Sequence, residues 1–150
     1  MQVKDWMVTD VVTVGRNDDL RLVDDIMAER RIRHIPVLED GNIVGIITQR
    51  DLFKAQMSSA MGYGEMGQRA FLHSVWVKEV MVYPVITIAS DKSVAEAADL
   101  IIDKGIGCLP VVEHGRLIGI VTKTNLLHCL RTLSATEPPH TSSSGTSGRL

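Results

Sequence analysis

The sequence predicts a mixed α/β fold, an α+β arrangement of two packed β-α-β-β-α repeats related by an approximate two-fold axis. Three observations carry that expectation. Residues 3–54 align with residues 77–128 at a constant offset of 74 without a gap, and 16 of the 52 pairs are identical, against about three expected by chance for ordinary composition. Within each copy, short β-branched runs alternate with segments of helical period. The chain has 150 residues; a lone unit of about 50 residues buries too little surface to be secure, so the copies should pack on each other.

Each copy opens on a short strand, Val11-Val12-Thr13-Val14 and Val85-Ile86-Thr87-Ile88, built from β-branched residues. A helix follows. In the second copy Ser93-Val94-Ala95-Glu96 has the form of a capping box, in which the serine accepts from a free backbone N–H and the glutamate reaches back. Val94, Ala97, Ala98, Ile101 and Ile102 then line one face, and Gly105 supplies a left-handed stop. Asp19 holds the matching cap in the first copy, ahead of Leu20, Val23, Ile26 and Met27.

Next come Ile35-Pro36-Val37-Leu38 and Leu109-Pro110-Val111-Val112. Asp40-Gly41 and His114-Gly115 turn these strands back into Ile43-Val44-Gly45-Ile46-Ile47-Thr48 and Leu117-Ile118-Gly119-Ile120-Val121-Thr122, giving a hairpin in each copy. The returning strands are apolar on both faces and so require cover on both sides. A second helix is expected from about Arg50 and Thr124.

The chain thus divides into a first repeat (1–56), a linker (57–74), a second repeat (75–133) and a tail (134–150). Glycines and methionines in 55–76 read as flexible, with Arg69 to Val77 able to lead helically into the second copy. In the tail 12 of 17 residues are Ser, Thr, Gly or Pro, the composition of a disordered segment.

Apolar residues make up 45% of the chain and charged residues 23%, the balance of a folded domain. A formal charge of −2 offers no excess cation to neutralise a phosphate backbone, which disfavours nucleic acid as a partner. No apolar run approaches the roughly 18 residues of a membrane span, and the first residues carry no signal-peptide core, so the expected compartment is the cytoplasm. Cys108 and Cys129 lie in apolar surroundings without a CxxC or histidine companion and read as buried thiols.

Gly62-Tyr63-Gly64-Glu65-Met66-Gly67 matches G-x-G-x-x-G, but it follows a helical or linker segment where a dinucleotide fingerprint must follow a strand. It reads as linker. The five histidines show no metal-ligand spacing, and no nucleophile elbow or phosphate-binding lysine motif is present, so neither a catalytic residue nor a catalytic cofactor is expected. The repeated hydroxyl stands apart. Thr48-Gln49-Arg50-Asp51 and Thr122-Lys123-Thr124-Asn125 each end an apolar strand on a hydroxyl and place a carboxylate or carboxamide three residues on. Helix capping accounts for such a pair. It does not require the pair to recur beside Ile35-Pro36 and Leu109-Pro110 in both copies.

Through Val11-Val12-Thr13-Val14, Arg33-His34-Ile35-Pro36-Val37 and Gly45-Ile46-Ile47-Thr48-Gln49-Arg50-Asp51, with their partners 74 residues later, the chain resembles the CBS-domain family. Specifically, it resembles a tandem CBS pair, or Bateman module, over about residues 3–131, and within the family the acetoin-utilisation branch.

The resemblance implies a cleft in each half for an adenosine-containing ligand such as AMP, ADP, ATP or S-adenosylmethionine, with Mg²⁺ accompanying a polyphosphate. Adenine would lie against side chains and backbone at Val12 and Ile35 in copy one and at Ile86 and Leu109 in copy two, beside Pro36 and Pro110. Asp51 would accept from the ribose hydroxyls, while Thr48 and the helix start behind it would donate to phosphate. Arg33, His34 and Arg50 would supply charge in copy one, where copy two has Gly107, Cys108 and Thr124; Thr122, Lys123 and Asn125 complete the second cleft. A regulatory homodimer answering to an unidentified effector protein follows from the same resemblance. The alternative is a ligand-free docking or dimerisation scaffold.

Overall fold

A computed structural model describes residues 1–59 and 65–136. Repeat 1 contains β1 (Val14–Gly15), α1 (Leu20–Arg30), β2 (His34–Glu39), β3 (Asn42–Thr48) and α2 (Gln49–Ser59). Between the repeats lie α3 (Glu65–Ser74) and the short α4 (Val77–Val80). Repeat 2 contains α5 (Val94–Lys104), β4 (Cys108–Glu113), β5 (Arg116–Thr122) and α6 (Lys123–Thr136).

The two hairpins superpose in register. His34 pairs with Thr48 and Cys108 with Thr122, and a bulge follows Val37 in one and Val111 in the other. Both turns need two left-handed residues, supplied by Asp40 and Gly41 (φ 52° and 80°) and by His114 and Gly115 (φ 51° and 77°). The caps form as their residues dictate: Asp19 accepts from the Leu22 N–H at 3.0 Å, and Ser93 and Glu96 exchange two bonds. At the C-terminus of α5, Gly105 adopts φ 64°; the equivalent position after α1 is Arg31, held at φ 54°.

Four expectations change. The first strand contracts to Val14–Gly15, parallel to β2, and in repeat 2 to one parallel bridge from Ile88 to Val111. The preceding Val11–Thr13 and Val85–Thr87 find no ladder partner of this kind and belong to no strand or helix. The second helices begin one residue earlier than expected, at Gln49 and Lys123. The expected linker is helical at 57–59 and 65–68 as well as at 69–74, where a helical lead is expected, and the expected tail is helical to Thr136; 60–64 and 137–150 lie outside the described residues. Of the G-x-G-x-x-G run, Glu65 to Gly67 open α3, and the rest lies outside them.

The packing of the two N-terminal arms is exchanged. Val3 is completely buried in the core of repeat 2, with Ile88, Leu109, Val111 and Val121, and the Val3 and Lys4 N–H groups donate to the carbonyls of Lys92 and Ser90. Val77, its counterpart, is completely buried in the core of repeat 1, and its N–H donates to the Asp18 carbonyl at 2.7 Å. Further along, Val8 exchanges two backbone bonds with Ile120, and Val82 exchanges two with Ile46. Two of the repeated identities follow from this exchange. A Cβ on Gly45 would collide with the Met81 sulfur, and one on Gly119 would stand 2.7 Å from the Met7 sulfur and 3.0 Å from the Val8 carbonyl. Each glycine leaves room for the other repeat's arm.

Candidate functional site

Register decides which side chains can meet. β1 runs parallel to β2 with Val14 beside Val37, so Val12, two residues earlier, precedes the sheet on the side where β2 begins. Antiparallel pairing puts Thr48 opposite His34 at that same end, where α2 begins. In repeat 2 the corresponding end gathers Ile86, Cys108, Thr122 and the start of α6.

The hydroxyl–carboxylate pair is a closed cap. Asp51 Oδ2 accepts from both the Thr48 N–H (2.9 Å) and the Thr48 hydroxyl (2.7 Å), while the Asp51 N–H donates to Thr48 Oγ1 (3.2 Å). Asn125 Oδ1 plays the same part toward Thr122, at 2.8 and 3.0 Å, with the return bond at 3.3 Å. The Gln49 N–H donates to the Arg33 carbonyl (2.9 Å) and the Lys123 N–H to the Gly107 carbonyl (3.1 Å). Of the four N–H groups at each helix start, those of Thr48, Gln49 and Asp51 are therefore held by the protein, as are those of Thr122, Lys123 and Asn125. The Thr48 hydroxyl, one of the groups expected to donate to phosphate, is engaged within the cap. That hydroxyl has one proton, which it gives to Asp51, so Thr48 positions the carboxylate.

What each cap leaves over differs in sign. Asp51 keeps Oδ1, an acceptor with no hydrogen bond among the described residues. The carbonyl oxygen of Asn125 must face the Thr122 donors, which leaves its NH₂ group, a donor, in that place. Both side chains are half-buried.

Ile35, Pro36, Leu109 and Pro110 are less than 2% exposed. Ile35 and Leu109 sit in the repeat 1 and repeat 2 cores with their side chains fully buried. Cys108 is likewise buried, and burial pushes its thiol up to about 12, which keeps it protonated and unreactive at neutral pH. Val12 and Ile86 stay half-buried; Arg33, Arg50 and Lys123 are exposed. His34 lies across the repeat boundary against Gly107. Burial holds it below its ordinary pKa of 6.5, with Arg33 and Lys123 acting in the same sense and Asp51 opposing.

An open groove of about 390 Å³ starts at Asp51 and runs along α2 past Lys54, Ala55 and Ser58, walled by Phe71, Val75, Glu79 and Val80. A second, of about 360 Å³, lies in repeat 2 between Thr87–Ala89 and Glu96 and Leu100 of α5. Phe71 lies within the 57–74 linker, and its signal in the sequence is its helical apolar spacing with Leu72 and Val75. Among the described residues no three His, Cys, Asp or Glu side chains gather as a metal site, and no helix is long and apolar enough to cross a membrane.

Comparison with known proteins agrees with this geometry. The CBS domain family matches residues 3–58 and 77–132. A CBS domain-containing protein of Dictyostelium discoideum is 33% identical over 139 residues, covering 91% of this chain and 96% of its own. The crystal structure of a putative acetoin utilization protein from Vibrio cholerae matches with a TM-score of 0.78 and 29% identity, over 90% of this chain and 95% of that one. The CBS domain pair of protein MJ0100, solved with 5′-methylthioadenosine and S-adenosyl-L-methionine, matches with a TM-score of 0.75 and 26% identity, over 89% and 98%. The chain spans 45% and 61% of the length of two uncharacterized relatives, from Methanocaldococcus jannaschii and Methanopyrus kandleri. With both matched segments falling on the two repeats, the chain belongs to the CBS domain family and carries two CBS domains in tandem.

Proposed function

We propose that the protein is a regulatory module that binds an adenosine-containing ligand, AMP, ADP, ATP or S-adenosylmethionine, and carries out no reaction of its own. The observation that carries this reading is the Asp51 carboxylate, held by two bonds from Thr48 to Oδ2, with the Asp51 N–H returning a third, yet keeping Oδ1 open at the sheet end toward which Val12 and His34 lie. An acceptor held in that way suits a ribose diol, each charge-assisted bond contributing about 1.5–3 kcal/mol before desolvation. The ligands bound in the MJ0100 pair, 5′-methylthioadenosine and S-adenosyl-L-methionine, are of the same class. Arg33, Arg50 and Lys123 are exposed cations for a phosphate, or for a Mg²⁺–polyphosphate in place of free phosphate.

Occupancy acts by favouring whichever arrangement of the two repeats binds the ligand better. The output runs through a cytoplasmic homodimer and an effector protein. Apolar side chains left exposed on equivalent helices, Phe53 and Met57 on α2 and Leu127 and Leu130 on α6, supply a dimer surface.

Thermal unfolding with AMP, ATP or S-adenosylmethionine tests the reading. A ligand at 100 times its dissociation constant adds roughly 2.7 kcal/mol, and native mass spectrometry reads subunit count and retained ligand together. A melting temperature indifferent to all three, over a millimolar range, leaves the ligand-free scaffold as the function.

A further inference from the structure

β3 and β5 meet at the repeat boundary, so the outer sheet edges are β1 in repeat 1 and the segment around Ile88 in repeat 2. Ile88 gives both its backbone groups to β4: its N–H donates to the Pro110 carbonyl and its carbonyl accepts from the Val112 N–H, each at 3.0 Å. Backbone groups alternate in direction along a strand, so those of Thr87 and Ala89 face the open side. The Ala89 carbonyl takes the Lys92 N–H at 3.3 Å. The Thr87 N–H and carbonyl and the Ala89 N–H have no hydrogen bond among the described residues, and both residues are exposed. Repeat 1 closes the equivalent place. There the Asp18 N–H donates to the Gly15 carbonyl at 3.1 Å, and Asp18 Oδ2 also accepts from the Gly15 N–H at 2.7 Å. Lys92 stands at the position of Asp18, and an ammonium group cannot accept. An unguarded strand edge is a template for pairing with another chain. Beside this one lies the groove of about 360 Å³, with Ile88 and Leu100 as its apolar lining and with two carboxylates, Glu96 and Asp99, against the single ammonium of Lys92.

We propose that the edge at residues 87–89 is a docking site for an extended peptide segment of a partner protein, which adds a strand there and turns an apolar and a basic side chain, two residues apart, into the groove. The main chain of the segment bonds the open groups of Thr87 and Ala89, and its side chains supply the selectivity. Positions i and i+2 of a strand share one face, so two neighbouring pockets read two alternate residues. The apolar side chain meets Ile88 and Leu100; the cation meets Glu96 and Asp99, which outnumber Lys92. The site itself needs no nucleotide. Only in assigning the segment to the effector protein of the proposed function does the inference rest on that reading.

The probe is the peptide acetyl-Thr-Leu-Thr-Arg-Thr-amide, titrated into the isotope-labelled full chain and followed by NMR. The Thr87 and Ala89 amide signals should move and their hydrogen exchange should slow, while the Ile88 amide, already bonded to Pro110, should change little. Glutamine in place of the peptide arginine, or Asp99→Asn in the chain, should weaken binding by up to about fivefold, the scale of an exposed ion pair. Lys92→Asp separates the two forces. It makes the groove more acidic, which favours the basic peptide, yet it gives the Ala89 N–H the acceptor that Asp18 gives Gly15. Binding should therefore fall, by up to about tenfold for the hydrogen bond removed. Lys92→Ala supplies no acceptor and should bind at least as well as wild type; position 92 is exposed, so both variants should fold. Undiminished binding by Lys92→Asp, or shifts confined to other residues, overturns the site. An Ala89 amide already slow to exchange in the dilute free chain means that the chain covers its own edge, and one that slows only as protein concentration rises makes the occupant a second copy; either overturns the partner segment. A peptide without effect up to millimolar concentration, alongside stabilisation by AMP, overturns this inference and leaves the proposed function standing. Peptide binding without any response to adenosine ligands upholds the docking edge and overturns the nucleotide reading.

Discussion

Repeats 1 and 2 share a hairpin register to the residue and differ in what they present at its polar end. Repeat 1 pairs β1 as a short strand, adds α3 through Leu72 to its core, and offers Arg33, His34, Arg50 and Asp51. Repeat 2 keeps a two-stranded sheet and offers Gly107, Cys108, Thr124 and Asn125. The apolar positions have been held interchangeable while the polar ones have diverged. Core side chains meet one common demand, to fill space at crystal-like density. Groups around a cleft answer to a ligand, and two clefts can answer to different ones.

Truncating a core position tests the equivalent half of that comparison and carries the largest expected effect. Ile35→Ala and Leu109→Ala should each cost about 2–5 kcal/mol in urea unfolding, the range for buried large-to-small changes. Both side chains are completely buried, so the two losses should be similar. A variant that keeps its unfolding midpoint but loses nucleotide would return that side chain to the cleft and undo the core assignment.

Exchanging the cap residues tests the divergent half. Asp51→Asn and Asn125→Asp both preserve the capping oxygen, so stability should change little in either. Recognition should change in opposite directions. Removing the Oδ1 acceptor in repeat 1 should weaken a diol ligand by about 1.5–3 kcal/mol, roughly 10- to 150-fold. Supplying that acceptor in repeat 2 should create or strengthen a second binding event in calorimetry. Equal affinities for wild type and Asp51→Asn would remove Asp51 from ribose recognition.

Much of this architecture is legible from local chemistry. The Asp40-Gly41 and His114-Gly115 turns, the Asp19 and Ser93 caps and the Gly105 stop each depend on residues within four positions of one another. The fixed offset of 74 then implies two copies. The exchange of N-terminal arms is not legible, because Val3 and Val77 show only that they are apolar; either core could receive either one. The same limit applies at the site. Thr48 and Asp51 mark a helix start, but which oxygen remains open depends on how the cap closes. Ile35 and Leu109 lie beside the polar end in sequence and point into the cores because strand side chains alternate. That His34 crosses to Gly107 is a tertiary fact, and its only trace in the sequence is the absence of a side chain at 107.

The smallest effect is the sharpest on the His34–Cys108 difference. His34 is held below 6.5, its value in an unfolded chain, chiefly by burial. Between that lowered value and 6.5 the unfolded chain binds more protons than the native one, so native stability must rise with pH across this window. The contribution of the neutral ring is complete above about pH 6.5 and is lost as the pH falls toward the lowered native value. Carboxylates that titrate in the same range do so in wild type and variant alike, and they cancel in the difference. The urea midpoint of wild type should therefore fall more between pH 7.5 and 5.5 than that of His34→Gln, while Cys108→Ser should fall as much as wild type, because its thiol does not ionise there. Equal midpoint losses in wild type and His34→Gln would mean that His34 is hydrated in the native state, and that the repeat boundary is not closed around it.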